Sequence, residues 1–351
     1  MTVSSIVTPY FVIIVIMSTS IQKFETAAGR RIYSLPVQAF PPLRANVYLI
    51  SDGEQRILVD CGSGMEPSNQ DLLHGLEQIG PTFGEPITLA DIDQIILTHG
   101  HIDHFGGLPF VRQFTDAPVG IHILDVRVIS HHEERVIIAA RHLENYLIEA
   151  GISDQYRASL MQMYTFAKTY YRSTPIDFLL TEDEPVNGNI QVYHVPGHCP
   201  GMVCLQVDDI LLTADHILSK TTPHQAPERI THNMGLEHYL ASLQKIERLE
   251  GIRLGLGGHE RPMEDVRGRI QVIRQSHQER LSKVLDICRQ PKSIADISKE
   301  LFGTVSSYHV LLAIEEAGAH VEYLYQRGEL LADNIEAIEK HETPVIRYRR
   351  S

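Results

Sequence analysis

Four hydrophobic, β-branched segments of this chain each run directly into a histidine or an aspartate, and this pattern restricts the fold more than any other feature. Residues 92–99 (IDQIILTH) lead into Gly100-His101-Ile102-Asp103-His104, and residues 190–195 (IQVYHV) lead into Pro196-Gly197-His198. Residues 209–215 (DILLTAD) end on Asp215, and residues 252–259 (IRLGLGGH) end on His259. Runs rich in Ile, Leu and Val, bounded by Gly, Asp or Ser, read as strands. In an open α/β sheet the carboxyl ends of the strands share one edge, where ligand crevices form. The four clusters are therefore expected to converge.

The rest of the chain supports a layered α/β fold. Residues 45–50 (ANVYLI) and 56–60 (RILVD) read as two further strands, and 202–207 (MVCLQV) as another. Between 60 and 92, Leu72, Leu73, Leu76 and Ile79 recur at helical spacing. Strand, strand, helix, strand predicts helices covering a sheet. From Asp125 to about Tyr171 the pattern turns helical and charged, with Tyr156, Tyr164, Phe166, Tyr170 and Tyr171 interspersed, and reads as a helical insertion. Amphipathic helices are expected at 236–249 and about 266–288. After the breaker at 289–292, one helix (293–302), a second and third within 307–328, and a hairpin-like end suggest a small winged-helix-like arrangement.

Charge and cysteine content narrow the function. The chain has 351 residues, with 44 acidic against 31 basic and a formal charge of −13, so its field repels phosphate backbones and anionic membrane surfaces. Residues 291–351 hold seven Lys and Arg against ten Asp and Glu, and a recognition helix carrying Glu315 and Glu316 is poorly suited to phosphate. An interaction or pocket-closing role fits that segment better. The four cysteines, Cys61, Cys199, Cys204 and Cys288, form no CxxC pair, which argues against a disulfide framework and suits a reducing, cytoplasmic compartment. The apolar run at 10–17 (YFVIIVIM) is less than half of the roughly 20 residues a spanning helix needs. An extra strand, a start-site extension, a degenerate signal peptide or an anchor remain open for residues 1–20.

The 19 histidines are the other unusual count. His99, His101, Asp103 and His104 place four metal-ligating side chains in six positions, a spacing that can serve two adjacent ions. With cysteine pairs absent, imidazole and carboxylate must build the site, a donor set that suits Zn²⁺, Mn²⁺ or Fe²⁺.

These motifs, with Asp60 in LVDCGSG, resemble those of the metallo-β-lactamase-fold hydrolase superfamily and specifically its two-metal, glyoxalase-II-like members. The resemblance covers about residues 31–264. It implies a four-layer αββα sandwich with a helical insertion at about 125–175. It also implies a catalytic domain over 26–275, after an N-terminal apolar extension (1–25), and a winged-helix-like C-terminal domain over 276–351. It further implies that His99, His101 and His198 hold a first divalent ion and Asp103, His104 and His259 a second. Asp215 would bridge the two, and Asp60 would orient the ligand loop. Two ions in such a centre, most simply zinc, activate water and clamp the electrophile. Asp103 would then orient the nucleophile and carry its proton. HxH in place of HxE separates the chain from the oxygen-reducing di-iron branch. Asp215, standing where a thiolate occurs in cysteine-ligand β-lactamases, argues against antibiotic hydrolysis.

Other residues carry weaker expectations. Cys61 and Cys199 read as small buried apolar side chains. His224 is a candidate substrate contact in the loop after Asp215, which also holds His216 and His232. His131, His132 and His142 are expected to face solvent. Tyr170 and Tyr171 are candidates for a lid over the metals, since apolar walls commonly line small-molecule pockets. The leading functional expectation is hydrolysis of a small ester, thioester or lactone, with a phosphodiesterase or ribonuclease-like hydrolase as the second reading and a non-catalytic metal-binding regulator as the third. Expected partners are a small-molecule substrate, no nucleic acid and no stably inserted membrane, with room for a homodimer.

Overall fold

A computed structural model describes residues 20–351, so the expectations attached to residues 1–19 lie outside the described residues. Strands β1 (Gln22–Glu25), β2 (Arg31–Phe40), β3 (Leu43–Ser51) and β4 (Arg56–Val59) form an antiparallel meander. Helix α1 (Glu66–Phe83) then crosses to β5 (Gln94–Ile96), which pairs parallel with β4. After β5 the short helices α2 (Ile102–Phe105) and α3 (Leu108–Val111) lead to β6 (Val119–His122). Helices α4 (Val126–Ser130), α5 (His132–Glu149) and α6 (Asp154–Thr169) separate β6 from β7 (Phe178–Leu180), which completes a seven-stranded sheet in sequential order. The second sheet joins β8 (Ile190–His194), β9 (Val203–Val207) and β10 (Ile210–Ala214) in antiparallel order. Helix α7 (Leu236–Glu247) carries the chain to β11 (Leu254–Gly257), parallel to β10.

The strands form because their apolar residues serve two faces. Ile32, Ile50, Ile57, Val59 and Ile96 pack between the sheets against Val192, Val203, Leu205 and Leu212. Alternate residues of the same strands, Tyr33, Leu35, Leu49, Leu58 and Ile95, meet Leu72, Leu76 and Ile79 of α1 on the opposite face. Each large side chain buried in this way is worth about 1.5–3 kcal/mol, and the two cores lock the strand register, because a one-residue slip would exchange the faces. The second sheet turns Cys204 and Leu211 outward onto Tyr239, Leu243 and Ile246 of α7. The order helix, sheet, sheet, helix is the four-layer sandwich expected from the sequence.

The last segment comprises α8 (Val266–Ile287), α9 (Ile294–Phe302), α10 (Tyr308–Gln326), β12 (Leu330–Ala332), α11 (Ile335–Lys340) and β13 (Tyr348–Arg350). Helix α8 passes unbroken through the boundary expected at 275/276. Leu143 and Leu147 of α5 share one core with Ile297 of α9 and Ile314 of α10, so the helical insertion and the C-terminal helices pack as one layer. Residues 308–326 form a single helix, correcting the expectation of two. Gly318 does not end it: it makes room for Tyr146 of α5, whose hydroxyl donates to the Ile314 carbonyl at 3.0 Å. The expectation that His132 faces solvent is also corrected. His131 and His142 are exposed, but His132 is buried, its ring against Phe105 and Tyr171.

Candidate metal centre

The seven ligand candidates converge at one edge of the two sheets. His99 leaves the sheet just after β5, His101 caps the single-turn helix α2, and Asp103 and His104 lie within it. Asp215 follows β10 immediately, His259 lies two residues beyond β11, and His198 stands in the β8–β9 turn. One ligand atom each from His99, His198 and Asp215 lies within 4.8 Å of the others, as do those of Asp103, His104 and His259. The His101 Nδ1 is 2.9 Å from His198 Nε2, which attaches it to the first group. Asp215 faces both groups: its Oδ2 is 3.7 Å from His198 Nε2, 3.6 Å from His104 Nε2 and 3.2 Å from His259 Nε2.

The imidazoles are aimed from behind. The Nδ1 of His99 meets the Thr98 hydroxyl at 2.9 Å, that of His104 meets Asp60 Oδ2 at 2.8 Å, that of His198 the His224 carbonyl at 2.8 Å, and that of His259 the Arg44 carbonyl at 2.6 Å. With Nδ1 engaged outside, each Nε2 is left for the centre, the usual division of labour in histidine metal sites. His101 is the reverse case. Its Nδ1 points inward and its Nε2 lies 3.2 Å from the Cys199 thiol. Cys199 is buried as expected, as are the other three cysteines, yet it also touches a ligand candidate.

Three buried atoms in the pocket, His99 Nε2, His104 Nε2 and Asp215 Oδ1, have no hydrogen-bond partner. Leaving such atoms unpaired costs about 1–3 kcal/mol each, so the pocket is shaped for a further partner that satisfies them. Divalent cations fit that donor set. Gly258 keeps the space open, because a Cβ there would come 2.3 Å from Asp215 Oδ1 and 2.7 Å from the His104 ring.

The two groups differ in electrostatics. Burial holds His99 and His198 below the ordinary histidine range, neutral and ready to donate lone pairs. Burial also disfavours charge on His104 and His259, but Asp215 and Asp103 outweigh it, raising His104 and pushing His259 up to about 10. Burial works against ionisation of Asp103 and Asp215 as well, and the neighbouring imidazoliums overcome it, holding both carboxyls below their usual range. In the metal-free state protons thus occupy the second group. A divalent cation would replace them.

Asp60 lies behind His104, one of the ligand candidates. Its carboxylate takes the Thr98 N–H at 2.8 Å, the Thr98 hydroxyl at 2.9 Å and His104 Nδ1. Its φ of 64° is left-handed, as are those of Ala214 (45°) and Glu260 (68°), residues adjacent to Asp215 and His259. Backbone strain of this kind gathers at functional sites. Tyr171 is 6 % exposed, its ring packs near Phe105 and closely over Gly106, and burial followed by the Asp103 charge raises its phenol. Tyr170 is 65 % exposed and stacks edge-on against Tyr171. His224 contributes its carbonyl to His198, while its ring is held from the far side by Glu315 (3.0 Å) and Glu316 (3.4 Å) of α10. Those carboxylates outweigh the opposing effect of burial and push His224 up to about 9.

Several residues at the centre escaped the sequence reading. Asp125 is buried and accepts the backbone N–H of Gly100 (2.8 Å) and of Gly201 (2.9 Å), tying together the two loops that carry His99, His101 and His198. Glu260, next to His259, accepts from the backbone of Lys220 and Thr221 and fixes the loop after Asp215. In the sequence Asp125 marked only the start of the helical insertion. Glu260 adjoined a ligand candidate but belonged to no recognised pattern.

A two-sheet sandwich that collects histidines and aspartates from strand ends at one edge defines a class of metallohydrolases. The chain belongs to the metallo-beta-lactamase superfamily, whose family model matches residues 40–259. It is 24 % identical over 290 residues to the probable metallo-hydrolase YqjP of Bacillus subtilis (strain 168), covering 79 % of this chain and 86 % of that protein. It is 22 % identical to an atrochrysone carboxyl ACP thioesterase of Aspergillus fumigatus, covering 72 % of this chain and 63 % of that one. The crystal structure of a metallo-beta-lactamase family protein from Thermus thermophilus superimposes with a TM-score of 0.74 at 26 % identity, over 91 % of this chain and 98 % of that one. The chain is thus a hydrolase of this superfamily. Among the described residues no helix is long and apolar enough to cross a membrane.

Proposed function

We propose that the chain is a dinuclear metal-dependent hydrolase of small ester, thioester or lactone substrates, working in a reducing compartment such as the cytoplasm. The observation that carries this reading is the position of Asp215 Oδ2, within 3.7 Å of Nε2 atoms from both groups of ligand candidates. His99, His101 and His198 would hold one cation, Asp103, His104 and His259 the other, with Asp215 shared. The imidazole and carboxylate donors favour Zn²⁺ and also accept Mn²⁺ or Fe²⁺. When bound, two such ions supply Lewis acidity toward an acyl oxygen and lower the pKa of a water.

The protein's own side chains do the rest. Asp103, ionised and 14 % exposed, is the carboxylate of the set with an open face, and it can accept a proton from the nucleophile and return it to the leaving group. We assign the buried Tyr171 ring, close enough for the Asp103 charge to raise its phenol, the role of keeping bulk water from that space. The overall charge of −13 disfavours a polyanionic substrate and favours a small uncharged acyl group. The similarity to an acyl-carrier-protein thioesterase points the same way.

The test combines elemental analysis with a substrate panel of thioesters, lactones and phosphodiesters. Purified protein should carry close to two metal equivalents and turn over the acyl substrates, and Asp215→Ala should abolish that turnover. Protein that cannot be loaded with metal, or an active Asp215→Ala variant, would refute the assignment.

A further inference from the structure

The C-terminal helix α10 reaches the candidate metal centre through one loop. His198 Nδ1 lies 2.8 Å from the His224 carbonyl, so the aim of that ligand depends on where residue 224 is held. The His224 ring is gripped on both nitrogens, Nε2 by Glu315 at 3.0 Å and Nδ1 by Glu316 at 3.4 Å. Glu316 also accepts the Gln225 backbone N–H at 2.8 Å and is itself held by Arg280 of α8 at 2.9 Å. Both carboxylates are nearly buried, with side-chain exposures of 12 % and 5 %. Further along the same loop, Glu322 accepts the backbone N–H groups of Glu228 (2.7 Å) and Arg229 (3.2 Å). Helix α10 thus pins the loop at two places, one directly behind a ligand candidate and one remote from it.

We propose that Glu315 and Glu316 are positioning residues for the first metal site, acting through the His224 ring and carbonyl to fix His198, so that the C-terminal segment is an integral part of the metal centre. The proposal rests on the dinuclear reading above. A carboxylate pair on a loop imidazole fixes the loop in rotation as well as in position, because both ring nitrogens are engaged. The carbonyl of the same residue, on the held loop, faces His198. Loss of an orienting partner behind a metal-bound histidine typically costs about 10–100-fold in metal affinity. Here the partner's own support is the variable, and the effect should fall on one of two sites.

The full-length protein, stripped with a chelator, would be titrated with Co²⁺ while the visible spectrum and the affinity of each equivalent are recorded, with His198→Ala marking the signature of a lost first site. The Glu315→Gln/Glu316→Gln variant should weaken the first-site equivalent by about tenfold or more and leave the second unchanged. His224→Gln, which keeps the carbonyl but loses the double grip, should do the same in a fold that keeps all its carboxylates. Glu322→Gln should lower thermal stability and spare both sites. Wild-type affinities in the first two variants, or an equal loss at both sites in all three, overturn the proposal. A wild-type protein that takes up no Co²⁺ overturns the dinuclear reading itself, and with it the clamp.

Discussion

The Nδ1 of His104 lies 2.8 Å from Oδ2 of Asp60, a residue 44 positions earlier in the chain. The same carboxylate accepts both the N–H and the hydroxyl of Thr98, so one side chain holds the start of the ligand loop and the orientation of a ligand candidate within it. Asp60→Asn preserves shape and tolerates the left-handed backbone, yet its amide nitrogen cannot accept from His104 or Thr98. We expect affinity at the second site to fall about 10–100-fold and stability by about 1–3 kcal/mol, measured by metal titration and equilibrium denaturation. Unchanged values in both would show that the contact is incidental.

Asp125 offers a sharper version of the same test because it holds backbone rather than the side chain of a ligand candidate. Its two oxygens take backbone N–H groups from separate loops, at Gly100 and Gly201. Asparagine can accept only one of these bonds and turns an N–H toward the other. Asp125→Asn should therefore cost about 1–3 kcal/mol in stability and loosen the first site relative to the second. Equal affinity at both sites in the variant would show that the two loops hold their positions without it.

The sequence made the local part of the centre legible and hid the part that folding assembles. His99, His101, Asp103 and His104 stand in one six-residue run, and His198, Asp215 and His259 each follow a recognisable strand. Asp125 meets Gly201 across 76 positions and Glu315 meets His224 across 91, and no pattern within either segment marks those pairings. Strand β2 went unread because Pro36 interrupts it, and proline demotes a segment as a strand candidate. There it pairs opposite Asn46 in the meander. The charged residues around His132 masked its burial, and the two helices expected within 307–328 are one because Gly318 lies inside α10, packed against the Tyr146 hydroxyl of another helix.

That glycine yields a stability prediction. A Cβ at residue 318 would come 1.8 Å from the Tyr146 hydroxyl and 2.9 Å from Pro227. Gly318→Ala has better helix propensity by about 1 kcal/mol, but overpacking of a well-filled core costs typically 1–3 kcal/mol, so the net change should be destabilising. Adding Tyr146→Phe removes the clashing oxygen and should recover part of the loss, a coupling that a double-mutant cycle in chemical denaturation would read. Strict additivity of the two changes would show that α5 and α10 do not meet as described.

Protons and cations compete for the second group, and pH should expose the competition. His259 is pushed up to about 10 and His104 is raised, both chiefly by Asp215 and Asp103 acting against burial, whereas an unfolded histidine titrates near 6.5. A raised histidine contributes stability that is complete below the unfolded value and lost as pH rises through the folded one. The chelator-stripped protein should therefore lose thermal stability between about pH 6.5 and 10. The metal-loaded protein should hold its Tm across that window, since a cation then neutralises the carboxylates, and saturating metal at 100 times Kd adds about 2.7 kcal/mol. Loading at neutral pH should release about two protons, one each from His104 and His259, because metal ligands must be deprotonated. Calorimetric titration in buffers of different ionisation enthalpy counts them. A flat Tm profile for the stripped protein, together with no proton release, would show that the two histidines are neutral without metal and that the second group is not held together by charge.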